Sequence, residues 1–147
     1  MKFLNELTVV IVTYKTNREI LDNCIDSIDP SVKILIVENS SDIEFKKEME
    51  SKFQNVSVLL ANKNLGYGAG NNLGFKNIKT RYGLISNPDI IYEKDFFKNT
   101  QNYLVPKIEF SIIGISYYSR LPDSRVGLAL RVGGEGPGGP APYRWGF

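Results

Sequence analysis

Leu7-Thr8-Val9-Val10-Ile11-Val12-Thr13-Tyr14 is a nearly unbroken apolar run rich in β-branched residues. Such a run is the mark of a strand buried on both faces, as in the interior of a parallel sheet. A helix follows it. Thr16 and Glu19 have the spacing of a capping box, and Ile20, Leu21, Cys24, Ile25 and Ile28 form an apolar stripe that Pro30 closes. Residues 32–37, Val-Lys-Ile-Leu-Ile-Val, read as a second buried strand. Ser41 and Glu44 repeat the capping box, and Phe45, Met49 and Phe53 recur at i, i+4 and i+8. A third strand is expected over 56–60, then a Gly/Asn-rich loop from Asn62 to Asn72 and a short helix over about 69–78. A fourth strand over 82–86, a helix near 94–104 and a fifth strand over 110–118 complete the pattern. This β-α-β-α-β order predicts an α/β fold: a mostly parallel, Rossmann-like sheet with right-handed crossovers and helices on both faces.

Composition narrows the chemistry. The 147 residues, 42% of them hydrophobic, suffice for one α/β domain. The net charge of +2 is scattered along the chain, which gives no nucleic-acid footprint. The absence of His removes Ser-His-Asp and Cys-His catalysis and His-ligated metals. Cys24 stands alone, so no internal disulfide or multi-Cys metal site forms; on an apolar stripe it reads as a small buried hydrophobe. No apolar run has the ~18 residues of a membrane span, and Met1–Glu6 does not resemble a signal peptide. The expectation is a cytoplasmic protein, with peripheral contact at the inner face of the membrane left open.

The C-terminal stretch differs from the rest. From Leu121 to Phe147 there are seven Gly, four Pro and no Lys, whereas before Arg120 Lys outnumbers Arg twelve to two. Gly133-Gly-Glu-Gly-Pro-Gly-Gly-Pro-Ala-Pro142 lacks the apolar residues to bury a core and is expected to be disordered. The division drawn is a domain over 1–118 and a Gly/Pro-rich tail over 119–147. So abrupt a shift suggests a foreign reading frame or fusion scar; a native flexible tail is the alternative.

Ligands of parallel sheets bind outside the carboxyl ends of the strands. Three polar clusters fall at such ends: Thr13-Tyr14-Lys15, Glu38-Asn39-Ser40-Ser41-Asp42 and Asn87-Pro88-Asp89. Taken singly, the second reads as a turn with a helix cap, the third as an ordinary turn and Tyr14 as a strand-end aromatic. Topology places all three on one edge. The loop Asn62-Lys-Asn-Leu-Gly-Tyr-Gly-Ala-Gly-Asn-Asn-Leu-Gly74 adds glycines that permit close backbone approach and the start of a helix that offers free N–H groups. It is not the dinucleotide fingerprint: the GxGxxG order fails, and the loop follows the third strand. No Walker loop is present.

Those strings, in that order, resemble family 2 glycosyltransferases, particularly the rhamnosyltransferase-like branch, over roughly residues 7–118. The resemblance implies a GT-A fold, here the nucleotide-sugar-binding half only. It implies that Thr13 and Tyr14 contact the base and ribose, and that Glu38, where the family usually has Asp, holds the pyrimidine edge. Asn39 completes that motif with Asp42; Gly70, Asn71 and Asn72 match the loop beside the nucleotide. Asn87-Pro88-Asp89 matches the metal motif, with Asp89 holding Mg²⁺ or Mn²⁺ against the diphosphate and Asn87 in place of the first acid. The implied donor is a nucleoside-diphosphate sugar, dTDP-rhamnose or a UDP-sugar, and the implied acceptor a glycan or lipid-linked saccharide.

A general base for the acceptor hydroxyl is also needed. In the family it lies beyond the metal motif. Glu93, Asp95, Glu109, Asp123 and Glu135 match no such motif, so no catalytic residue is assigned and transfer by this chain is expected to be absent or weak. The rival readings are a non-catalytic nucleotide-binding or interaction module, and a sugar nucleotidyltransferase. The latter requires a Gly-rich, Arg-containing loop where this chain has Thr13-Tyr-Lys-Thr-Asn-Arg18.

Overall fold

The computed structural model describes residues 3–104, 113–114 and 127–128. After a 3-10 turn at Leu4–Glu6 the chain runs β1 (Leu7–Thr13), α1 (Arg18–Asp26), β2 (Lys33–Glu38), α2 (Ile43–Lys52), β3 (Val56–Leu60), α3 (Gly66–Asn77), β4 (Tyr82–Ser86) and α4 (Phe96–Leu104). Strands β1 to β4 form one all-parallel sheet in the order β3-β2-β1-β4. All seven residues of β1 are buried, as expected of a strand with neighbours on both sides and helices on both faces. Two further short strands, β5 (Ile113–Gly114) and β6 (Gly127–Leu128), pair antiparallel. The remainder of the expected fifth strand, and of the tail over 119–147, lies outside the described residues.

The pleat divides the core in two. Val9, Ile11, Ile34, Ile36, Val58 and Leu84 face Leu21, Cys24 and Ile25 of α1, Phe45 and Met49 of α2 and Phe97 of α4. Val10, Val12, Leu35 and Val37 point to the opposite face, where Leu73 of α3 packs. From β1 the chain steps outward through β2 to β3, then crosses back through α3 to β4 on the other side of β1. With right-handed crossovers, this reversal puts α3 on the face opposite α1 and α2. The order reverses between β1 and β4, and such a switch point opens a crevice at the carboxyl ends of the strands.

Helix starts differ from the expected boxes by one residue. Asn17, not Thr16, caps α1 through its side chain, which accepts from Ile20 N at 3.2 Å. Asp42, not Ser41, caps α2, accepting from Phe45 N at 2.9 Å. Asn and Asp are at least as good caps as Thr and Ser, and in each case the residue that caps is the one directly before the helix. Ile20 is exposed rather than part of the buried stripe.

The larger difference is α3, which begins at Gly66, three residues before the expected start. Glycine disfavours helix locally, but here its lack of a Cβ is what packing requires. A Cβ at Gly70 would stand 2.8 Å from Val12 Cγ1, and one at Gly74 2.4 Å from Val10 Cγ1. The helix lies directly on the sheet, and tertiary contact overrides propensity.

Candidate functional site

The carboxyl ends of β1 and β2 are in register, Thr13 opposite Glu38. Their side chains are joined: the Thr13 hydroxyl donates to Glu38 Oε2, while Ser40 donates to Glu38 Oε1 from both its amide (2.6 Å) and its hydroxyl. Glu38 is only 2% exposed. The carboxylate expected to meet a base edge is thus turned inward on its neighbours.

Asn39 is equally committed. Its amide donates to Thr13 O at 2.9 Å, its Oδ1 accepts from Leu65 N at 3.4 Å, and its Nδ2 donates to Gly66 O at 3.3 Å. Asn39 therefore fastens the start of α3 to the end of β2. Asp42 caps α2 and lies 3.6 Å from Arg18, which stacks on Phe45. Tyr14 follows the strand and is 49% exposed, with the Lys15 ammonium over its ring at 5.5 Å from the centroid.

Gly70, Asn71 and Asn72 stand inside α3 rather than in a loop, which corrects the expected boundary. Gly70 is buried against Val12 by the close packing already described. Asn71 is 1% exposed; its Nδ2 donates to Tyr67 O at 3.1 Å and its Oδ1 has no partner among the described residues. Asn72 is half-buried. Leu65 at the N-cap makes no side-chain cap bond; Asn39 Oδ1 takes the Leu65 amide and Asn64 Oδ1 that of Gly66 (2.9 Å), so that among the described residues the next amides, of Tyr67 and Gly68, remain available to an anion.

β4 ends at Ser86, opposite Ile11, and Asn87-Pro88-Asp89 follows. Asp89 is exposed and, among the described residues, forms neither a hydrogen bond nor an ion pair. It is close enough to the Tyr67 phenol for its charge to be felt there: that phenol is pushed up, chiefly by burial, with the Asn71 side chain opposing and Asp89 adding.

Behind the turn lies a set of residues that no motif announced. Ser86 Oγ donates to Asn87 O at 3.1 Å, and the Cys24 thiol reaches the same carbonyl at 3.6 Å. Burial pushes that thiol from its ordinary 9.0 to about 11, against the opposing effect of Ser86, so it stays protonated at neutral pH. Burial also raises the Tyr92 hydroxyl, whose oxygen has no hydrogen-bond partner although Ser86 faces it. Of the four buried polar side-chain atoms without a partner among the described residues, Ser41 Oγ, Asn71 Oδ1 and Tyr92 Oη belong to segments of this crevice. Three non-Gly residues with positive φ, Lys15, Ser41 and Asn62, each follow the end of a strand on the same edge. Unpartnered polar atoms and left-handed backbone gather where a ligand site would be.

Among the described residues no three His, Cys, Asp or Glu side chains converge as a metal cage. Asp89 alone fits a hard divalent cation only in a shared arrangement. Mg²⁺ is commonly held by about one or two carboxylates, with phosphate oxygens and water completing the shell. The donor set fits a metal carried in with a diphosphate. It does not fit a metal held by protein alone.

Comparison with known proteins bears on the family and the fold. Residues 8–126 match the sequence pattern of a family described as Glycosyl transferase family 2. No curated protein sequence matches the chain. In three dimensions it is similar to residues 1-349 of S. aureus TarS, with a TM-score of 0.57 and 16% identity, over 67% of this chain and 32% of that one. The same TarS fragment has been solved in complex with UDP. It is also similar to the mannosyltransferase PcManGT from Pyrobaculum calidifontis in complex with GDP-Man and Mn²⁺, with a TM-score of 0.60 and 13% identity, over 69% of this chain and 33% of that one. These likenesses establish the GT-A fold. The chain spans about a third of the length of these solved structures.

Proposed function

This chain belongs to glycosyl transferase family 2, and from that premise we propose that its crevice binds the nucleoside diphosphate of an activated sugar, a UDP-sugar or dTDP-rhamnose, together with Mg²⁺ or Mn²⁺. The transfer it serves would be to a glycan or lipid-linked saccharide. The observation that carries this reading is that Asp89, exposed and unpaired among the described residues, follows the carboxyl end of β4 on the sheet edge where Asn39, at the end of β2, fastens the start of α3.

The parts have distinct tasks in this reading. Tyr14 offers an exposed ring on which a base stacks. Glu38 acts through Thr13 and Ser40, fixing the floor below the base and ribose. Asn39 holds the start of α3 in place, so that its free amides meet phosphate oxygens. Asp89 would hold the cation, which stabilises the negative charge that develops on a departing nucleoside diphosphate.

No residue is proposed for acceptor activation. Glu93 and Asp95, exposed just before α4, serve its start, their carbonyls accepting from Phe96 N and Asn99 N. Donor binding without efficient transfer is the activity proposed for a domain drawn at residues 1–118, with the Gly/Pro-rich tail proposed to lie beyond residue 128, since the family pattern reaches 126 and β6 (Gly127–Leu128) pairs with β5. No described helix is long and apolar enough to cross a membrane.

Titration calorimetry of UDP and dTDP into the chain, with and without Mn²⁺, tests the reading. Saturable binding that Mn²⁺ strengthens is the expected result. Absence of binding to folded protein at millimolar nucleotide would refute it.

A further inference from the structure

We propose that Ser27, at the end of α1, is a positioning residue for Asp89, acting with the Cys24 thiol one turn earlier to set the strap of residues 87–92. The proposal rests on the reading of Asp89 as the residue that meets the metal-bound diphosphate.

The strap is neither helix nor strand, so its backbone groups need partners from elsewhere. α1 supplies them at both ends. Ser27 Oγ accepts from Tyr92 N at 3.0 Å and donates to Cys24 O at 2.6 Å. Cys24 Sγ donates to Asn87 O at 3.6 Å, the carbonyl that also takes Ser86 Oγ at 3.1 Å and Ile90 N at 3.4 Å. Residues three apart share one face of a helix, so a single turn of α1 holds the strap at positions 87 and 92.

Asp89 lies between these two points. Below it, Ile90 is buried, and the Tyr92 ring packs on Phe96 and Phe97 at centroid distances of 4.8 and 5.0 Å. The carboxylate is thus exposed while the backbone on either side is pinned. That matters because, among the described residues, no group of three or more His, Cys, Asp or Glu side chains gathers to hold a metal without it. With one protein ligand, the position of the strap alone decides whether an Asp89 oxygen meets a cation seated on the diphosphate. Groups that orient a metal ligand typically change metal affinity about 10–100-fold when removed.

Ser27 also reads as an ordinary C-cap hydroxyl, and a purely structural residue would weaken all binding alike. The test separates the two roles. UDP affinity is measured for the full chain with and without Mn²⁺, in wild type, Ser27→Ala and Ser27→Thr, alongside amide exchange at Tyr92. Ser27→Ala is expected to leave metal-free UDP affinity within about twofold, to speed exchange at Tyr92, and to cut the Mn²⁺-dependent gain about tenfold. Ser27→Thr, which keeps the hydroxyl, is expected to restore most of that gain.

An unchanged Mn²⁺ gain in folded Ser27→Ala, or an equal loss with and without metal, overturns the proposal while leaving the donor site standing. Should Ser27→Ala not fold, Cys24→Ala releases the other end of the strap and carries the same expectation. An unchanged gain there overturns the proposal equally. A wild-type chain that binds UDP with no Mn²⁺ gain removes the reading of Asp89 and this inference with it.

Discussion

Two glycines in one helix are expected to respond to the same substitution with opposite signs. A Cβ at Gly74 would stand 2.4 Å from Val10 Cγ1 and 3.2 Å from Val37 Cγ2, both on buried valines of the sheet. Overpacking of this kind typically costs about 1–3 kcal/mol, and a 2.4 Å approach belongs at the upper end. Replacing Gly by Ala within a helix returns roughly 0.8–1 kcal/mol. Gly74→Ala should therefore lose about 2 kcal/mol net. At Gly68, on the same helix, a Cβ meets nothing within 4 Å. Gly68→Ala should gain somewhat under ~1 kcal/mol, since it lies in the first turn. Urea denaturation followed by circular dichroism, compared at common m-values, measures both. In a Val10→Ala background the cost of Gly74→Ala should shrink by about 1 kcal/mol or more, the coupling expected of residues in contact. A Gly74→Ala protein as stable as wild type would refute the claim that α3 lies directly on the sheet, and with it the placement of the first turn of α3 beside the crevice.

Other consequences follow from particular contacts. Asn17→Ala and Asp42→Ala should each cost about 1 kcal/mol in urea denaturation, and Thr16→Ala only a few tenths, because the caps are Asn17 and Asp42. The Cys24 thiol is held neutral in the fold, near 11 against an ordinary 9.0, so its contribution is fully present below about pH 9 and is lost as pH rises towards 11. A shift of that size corresponds to roughly 2–3 kcal/mol. Stability of wild type should fall across that window by more than that of Cys24→Ala, the remaining slope coming from buried tyrosines such as Tyr92, which shift in the same sense.

How much of this was legible in the sequence depends on where the information lies. The four parallel strands were, because burial on both faces forces near-continuous apolar runs such as Leu7–Thr13 and Lys33–Glu38. Their carboxyl ends followed from topology, and so did the meeting of Thr13, Glu38 and Asn39. The start of α3 did not, because its glycines answer to Val10 and Val12, distant in sequence, rather than to helix propensity. The inward turn of Glu38 was equally hidden: it depends on the Ser40 amide and hydroxyl two residues on. Ser27 and Cys24 gave no signal either. Their contacts span 65 and 63 residues, and within α1 they look like a helix end and a core position.

The central claim is that the crevice holds a nucleoside diphosphate through a cation on Asp89. The most direct test is the Mn²⁺-dependent gain in UDP affinity in wild type and Asp89→Ala, with Asp95→Ala as a control for charge. The account predicts that Asp89→Ala abolishes the gain, lowering Mn²⁺-dependent affinity at least about tenfold, or ~1.4 kcal/mol, while Asp95→Ala keeps it. An undiminished gain in Asp89→Ala would contradict the account and move the cation away from the end of β4.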